Sequence, residues 1–378
     1  MRISHVEIIG GGPAGLYAAT LLKRHFPAAQ VRVTEQGPAD ATWGFGVVFS
    51  DHALAQMADD DPRTHGILAP AMERWRNMTL VHRGQRIVID GVGFAAIGRL
   101  TLLRLLQEQA HAAGVELVYG KAIATIDGLD ADLIVGADGL NSLVRRFDNT
   151  GFQPTLGELD NRFAWFGTPR RFETLTQTFV HTPHGSMNAH HYRYAPQMST
   201  FLVEADAATF FAHGFDRMDE PETARACAEI FSEALDGAPL VSNRSIWRRF
   251  PKLWCQNWHS GHKVLIGDAA HTAHFSVGSG TRLAMEDAIA LVRALAAHEE
   301  LGKALAAYQA ERQPAAKKIV DAATTSALWY EQFPRMMAMA PYDFAHAYIT
   351  RSGRVDDARL RRMSPQFMQA YEAHREAA

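Results

Sequence analysis

Cysteine is nearly absent from this chain: Cys227 and Cys255 are the only two in 378 residues. They form no CxxC and share no ligand spacing with a histidine. That excludes a disulfide framework and a structural zinc site, and it points to a reducing, cytoplasmic setting. An excess of either charge is also missing. With 38 Lys and Arg against 41 Asp and Glu, the formal net charge is -3, so the broad basic field of a nucleic-acid binder is lacking. No stretch of about 18 apolar residues occurs, and the opening MRISHVEIIGGG lacks the charged-then-apolar layout of a leader. Neither secretion nor a membrane span is expected, and no internal repeat or low-complexity tract stands out. The chain is otherwise ordinary in composition, and domains of roughly 100 to 200 residues imply two or three packed units.

Residues His5 to Gly10 read as a short buried strand, followed by a glycine turn and a helix from Ala14 to Lys23 with leucines and alanines at helical spacing. A second strand, Val31 to Glu35, completes a βαβ unit. Leu100 to Ala113 repeats leucine at helical spacing, and Val115 to Tyr119 and Asp132 to Val135 return as strands to the same sheet. From Phe163 to Glu204 the pattern becomes alternating aromatic and polar, the period-2 signature of antiparallel strands with one buried face. Lys263 to Ile266 is again a strand. Gly280 to His298 and Leu301 to Trp329 are helical, and shorter helices follow around Pro334, Pro341 and Pro365.

Gly10, Gly12 and Gly15 form a GxGxxG between the first strand and helix, with Pro13 and Ala14 inside it, and Glu35 and Gln36 follow the second strand. Gly10 permits the tight turn, Gly12 lets backbone approach a pyrophosphate, and Gly15 lets helix and strand pack closely. The helix N-terminus then faces the phosphates with its partial positive charge. Glu35 can accept hydrogen bonds from ribose hydroxyls. The motif alone does not separate NAD from FAD.

Two later stretches do. Ile134 to Arg145 reads IVGADGLNSLVR, and Val264 to Asp287 reads VLIGDAAHTAHFSVGSGTRLAMED. With the glycine motif they resemble, in the same order, the signatures of the FAD-dependent aromatic hydroxylases, the p-hydroxybenzoate hydroxylase-like family. The resemblance implies an α/β fold: a Rossmann-like FAD-binding domain (1–160 and 245–325), an inserted antiparallel-sheet substrate domain (161–244) and a C-terminal helical segment (326–378). It implies that Asp268 binds the ribityl chain and that backbone of Gly278, Ser279, Gly280 and Thr281 meets the isoalloxazine. Asp138 is expected near the pyrophosphate with Arg145 as its structural partner, and Arg99 on the FAD phosphates. Val47 and Val48 would bring backbone close to the flavin, or serve as plain strand core. A single GxGxxG fits NAD(P)H as a transient co-substrate without a domain of its own.

WGFGVVFS (43–50), WRRFP (247–251) and HTAHFSVGSGT (271–281) narrow the resemblance to the salicylyl-CoA 5-hydroxylase and anthraniloyl-CoA monooxygenase group, and more distantly to the violacein-pathway hydroxylase. The reaction implied is hydroxylation of an activated ring with O2 through a flavin C4a-hydroperoxide, on an aromatic acyl-CoA. A free aromatic or indole substrate and a non-oxygenating FAD dehydrogenase are the alternatives. His274 and Phe275 stand where most relatives have prolines and are expected to line the oxygen-transfer pocket, with a structural role for His274 as the alternative. The second flavin-binding domain fused behind the hydroxylase in some acyl-CoA relatives is not expected after TRSGRV. Guanidinium forks suited to CoA phosphates occur at Arg74, Arg76, Arg83 and Arg86, and at Arg248 and Arg249. The histidine pairs 181/184 and 190/191 lack the spacing of a metal site. A monomer or homodimer with no metal, nucleic acid or membrane partner is expected.

Overall fold

The computed structural model describes residues 3–377 and divides into two compact units. The first comprises the chain up to Thr42, Leu100–Glu158 and Pro251–Asp321. Its sheet has the strand order His259–Ser260, Lys263–Leu265, Leu133–Gly136, His5–Ile9, Gln30–Thr34, Glu116–Val118. All pairings are parallel except that of the first strand. Leu133–Gly136 is buried at every position and His5–Ile9 at all but the first, as befits strands covered on both faces. The expected βαβ unit is therefore present, with its helix at Pro13–His25. That helix starts with proline, whose fixed φ suits the first turn, and ends on Lys23, Arg24 and His25, which complement its negative end.

The second unit comprises Trp43–Arg99, Leu159–Phe250 and the chain from Ala322 on. Its large sheet runs Arg248–Cys255, Pro154–Thr168, Met198–Ala205, Gly185–Ala195, Leu175–Thr182, Met78–His82, Gln85–Ile89. A small antiparallel sheet joins Gly46–Ser50, Phe94–Gly98 and Glu73–Trp75. The division differs from the expected boundaries in assigning residues 43–99 and the C-terminal helices to this unit. The reason is long-range pairing: Met78–His82 lies parallel to Leu175–Thr182, Met78 opposite Leu175. The C-terminal helices Pro341–Thr350 and Pro365–Ala377 then cover the hairpin, with Phe344 stacked on His82 at 4.0 Å between centroids and Phe367 N–H donating to Asp90 at 2.9 Å.

Inside the first unit, one buried carboxylate fixes the returning chain. Asp287 is fully buried and accepts from Gly267 N–H at 2.9 Å, His271 Nε2 at 2.8 Å and Arg312 Nε at 2.7 Å. Arg312 also meets Glu286 at 2.7 Å. Burial pushes the Asp287 carboxyl up, but His271 and Arg312 outweigh it and hold it below the usual range, so it is ionised and the histidine must donate. Removing one member of such a buried pair leaves an uncompensated charge. Arg312→Met should therefore destabilise the protein by about 3 to 5 kcal/mol, measured by urea unfolding. A loss within the roughly 0.5 kcal/mol typical of surface changes would show that this network holds nothing.

Candidate active site

The three sequence motifs converge at one place in the first unit. The strands His5–Ile9, Leu133–Gly136 and Lys263–Leu265 are neighbours in the sheet, and each motif follows the carboxyl end of its strand, where parallel α/β sheets bind ligands. Gly10 has φ of 106°, and a Cβ there would lie 2.4 Å from Ala137 O and 2.8 Å from Asp138 Cα. A Cβ on Gly15 would lie 2.0 Å from Gly10 O. Both glycines are required by the chain's own packing. Gly12 differs, for nothing of the protein lies within 4 Å of a Cβ there, so the chain's own packing does not require glycine at this position.

Glu35 is fixed by backbone: Gly11 N–H donates to Oε2 at 2.7 Å and Gly37 N–H to Oε1 at 2.8 Å. Two donors leave lone pairs for ribose hydroxyls. Gln36 beside it is exposed. Asp138 accepts from Leu143 N–H at 2.5 Å and Val144 N–H at 3.4 Å, while its Oδ1 is buried without a partner. Burial raises its pKa. Arg145, expected to pair with Asp138, interacts with its charge but hydrogen-bonds to Ala269 O at 2.8 Å and to Leu140 O. It is a buried cation held by carbonyls, tying the Asp138 loop to the turn that carries Asp268. Asp268 itself is exposed in the turn Gly267–Ala269.

Two helices begin here without a side-chain cap or an acidic residue in their first turns, Pro13–His25 and Gly280–Ala297. In the first, the earliest helical bond runs from Leu16 N–H to Gly12 O, and in the second from Leu283 N–H to Ser279 O. Ala14, Gly15, Gly280 and Thr281 therefore have N–H groups that the helices do not use. Gly278, with φ of 60°, makes the left-handed step into the second helix. His274 is buried, and its Nδ1 accepts from Ser276 N–H at 3.4 Å, capping the turn Phe275–Val277. Its ring lies 4.0 Å from that of Phe275.

In the second unit Val47 and Val48 sit on Gly46–Ser50 opposite Ile97 and Ala96, and Arg99 is the first residue of the helix Arg99–Ala113. The Gly46 end of this strand is fastened to the large sheet: Tyr192 Oη donates to Gly46 O at 2.9 Å, and Gly46 N–H to Thr200 Oγ1 at 3.0 Å. Register puts Gln177, His190, Leu202 and Trp165 in one row across four strands, and Phe179, Asn188, Glu204 and Phe163 in the next. Alternation places both rows on one face. Asn161 Nδ2 donates to Glu204 at 2.8 Å, and Asn188 Nδ2 to Gln177 at 3.0 Å. Five atoms of this set are buried without partners: Asn161 Oδ1, Trp165 Nε1, Asn188 Oδ1, His190 Nε2 and Glu204 Oε2. Burial raises Glu204 to about 8, and burial with Arg351 nearby lowers His190 to about 3.

The sequence reading passed over this face; the signal was the polar alternation at Asn188, His190 and Glu204. Among the described residues, no group of three or more His, Cys, Asp or Glu could hold a metal ion. Among the described residues, no helix is long and apolar enough to cross a membrane.

An FAD binding domain family model matches residues 93–323. Salicyloyl-CoA 5-hydroxylase of a Streptomyces species is 42% identical over 367 residues, covering 92% of this chain and 69% of that protein. The chain belongs to the FAD-dependent aromatic monooxygenases. A second relative, 3-hydroxy-4-methyl-anthranilyl-[aryl-carrier protein] 5-monooxygenase of Streptosporangium sibiricum, is 37% identical over 330 residues, with 87% and 90% covered. In fold the chain is similar to 2-methyl-3-hydroxypyridine-5-carboxylic acid oxygenase, with a TM-score of 0.72, 19% identity and 96% of each chain covered. This monooxygenase uses FAD, with NAD(P)H as co-substrate, and the open Gly12 and the uncapped helix starts fit an anionic, electron-rich cofactor.

Gly12 supplies the cleanest test of that fit. A Cβ on Gly12 meets no protein atom, so Gly12→Ala should cost the apoprotein no more than the roughly 1 kcal/mol of a changed helix N-cap, yet it should purify without the yellow flavin absorbance. Retained FAD at full stoichiometry would show that no phosphate approaches Gly12.

Proposed function

We propose that this monooxygenase hydroxylates an aromatic acyl group presented as a CoA thioester, on a ring carrying a hydroxyl or amino substituent. The observation that carries the ring's placement is the buried polar face of the large sheet with its five unpartnered atoms, since native proteins pair nearly all buried polar atoms. The thioester part is supported by the 42% identity to salicyloyl-CoA 5-hydroxylase.

Bound FAD supplies the redox chemistry, taking two electrons from NAD(P)H so that one atom of O2 enters the ring and the other leaves as water. In this reading the Gly10–Gly15 turn, with Pro13 and Ala14 opening the helix, takes the pyrophosphate. Glu35 takes a ribose, Gln36 flanks it, and Asp138 supports the turn. Asp268 takes the ribityl hydroxyls, and the N–H groups at Gly280 and Thr281 stabilise negative charge on the reduced ring, beside Gly278 and Ser279. His274 shapes the turn before that helix, with Phe275 against it.

On the sheet face, His190 and Glu204 hydrogen-bond the ring substituent, and the ionised form of Glu204, the minor form at neutral pH and the main one above about 8, takes the proton that an activating hydroxyl gives up as the ring is attacked. A carboxyl titrating at about 8 is suited to this, because a proton acceptor works best near the operating pH.

Two measurements test the reading. Hydroxylated product is expected from salicylyl-CoA or anthraniloyl-CoA, whereas product from free salicylate or tryptophan alone overturns the thioester part. Glu204→Gln should keep its FAD but lose about 100-fold in kcat, together with the rise in rate through pH 8. A stability readout accompanies it. The folded chain holds the Glu204 proton up to about 8, while the unfolded chain releases it near 4.5. The advantage of the neutral acid is therefore complete below 4.5 and lost as pH rises through 8. The variant should have a higher Tm than the parent at pH 8 and the same Tm at pH 5. Wild-type kcat in the variant would remove Glu204 from the reaction.

A further inference from the structure

A second cavity lies wholly within the second unit, of about 950 Å³. Four guanidinium groups line it: Arg83 and Arg86 from the hairpin joining Met78–His82 to Gln85–Ile89, and Arg170 and Arg171 from the loop after Pro154–Thr168. Phe172 and His191, with rings 4.0 Å apart, also line it. His191 is 2% exposed, bonded through Nε2 to Thr178 at 2.9 Å, and its buried Nδ1 has no partner.

The arginines are only loosely engaged. Arg170 meets Asp236 at 3.2 Å and Arg171 meets Glu173 at 3.9 Å, with both carboxylates more than two-thirds exposed, and exposed pairs contribute little. Glu173 and Glu233 are the carboxylates of the lining, so four cations face two anions. The rival arginines are committed elsewhere: Arg249 to Leu159 O at 2.8 Å and Asp160 at 3.0 Å, and Arg248 to Arg244 O at 3.0 Å.

We propose that this cavity binds a phosphorylated nucleotide through its phosphates, held on the guanidinium rim above the unpartnered His191 Nδ1. Guanidinium forks take phosphate oxygens. Two ligands of this enzyme class carry that group, the CoA part of a thioester substrate and NAD(P)H; the CoA source rests on the acyl-CoA reading above. Phe179, which also lines the cavity, stands in the row of Asn188 and Glu204, while Thr178 of the same strand faces the other way. The cavity and the proposed ring site thus lie on opposite faces of one sheet, so a pantetheine arm joining them must pass around the sheet's edge.

The test is calorimetric binding of CoA and of NADPH to the FAD-loaded enzyme without O2 or acyl group, comparing the parent with Arg86→Gln/Arg170→Gln and with Arg249→Gln as the control for lost surface charge. The double variant should bind one of the two ligands at least 10-fold more weakly, and the ligand that weakens identifies the source. The control should stay within twofold. No weakening of either ligand, or equal weakening in the control, overturns the cavity. If only NADPH weakens, the cavity stands without support for the acyl-CoA reading. If CoA thioesters are hydroxylated while both variants bind CoA as the parent does, the function stands and the cavity falls.

Discussion

The buried carboxylate of Asp287 is the constraint on which the nucleotide-binding unit depends. Its partners come from three places: the turn carrying Asp268, the histidine four residues beyond Gly267, and Arg312 in the long helix Leu301–Gln332. Well-packed apolar residues can stabilise such a site as well as an ion pair does. What apolar residues cannot do is fix direction. Gly267, in a left-handed conformation, points its N–H at this one oxygen, which decides how the chain leaves the Lys263–Leu265 strand and leaves Asp268 exposed at the carboxyl end of the sheet. Arg145 adds a second tie from the other side through Ala269 O. The turn is thus held by charges that never reach solvent, while the residue that must meet a ligand stays open.

Much of this unit was legible in the sequence because its signals are local. Strands buried on both faces are continuous apolar runs, and the strand at Lys263 and the helices at Leu100 and Gly280 lie within a residue or two of where periodicity puts them. The glycine motif was legible because sterics alone require Gly10 and Gly15. The placement of residues 43–99 was not. The strands there span only three to five residues, and the partner of Met78–His82 lies about a hundred positions away, so no window of sequence holds both halves of the pairing. The setting of Arg145 was legible only in part: Asp138 does act on its charge, but the hydrogen bonds of its guanidinium go to the carbonyls of Ala269 and Leu140, which no sequence signal marks.

The polar face was hidden by a more instructive ambiguity. Alternating polar and apolar residues describe a sheet with one face in water. In Gly185–Ala195 and Met198–Ala205 the apolar set, including Ala189, Phe201 and Val203, does pack into a core. The polar set, including Asn188, His190 and Glu204, is nevertheless buried as well. Pattern alone cannot distinguish a polar face that meets water from one that meets a ligand. Only the coordinates show that these side chains are buried, and each buried atom left unpaired costs about 1 to 3 kcal/mol. A protein of ordinary stability holds several such atoms together only where something else completes them, which is why a local conflict between pattern and burial marks function better than a local agreement.

Electrostatics then divide the second unit between two kinds of chemistry. Burial shifts Glu204 up to about 8 and His190 down to about 3, both toward the uncharged form. Near neutral pH the sheet face therefore offers hydrogen bonds without fixed charge, the environment in which an aromatic ring can be oriented and water kept away. Positive charge is concentrated instead on the four arginines of the separate cavity. A ligand with a neutral ring at one end and phosphates at the other matches that division, and neither end could exchange places without burying a phosphate against neutral groups or leaving the guanidinium rim to face a ring. The charged and the neutral polar groups thus occupy opposite faces of one sheet, and a ligand that engages both is oriented by the edge around which it passes.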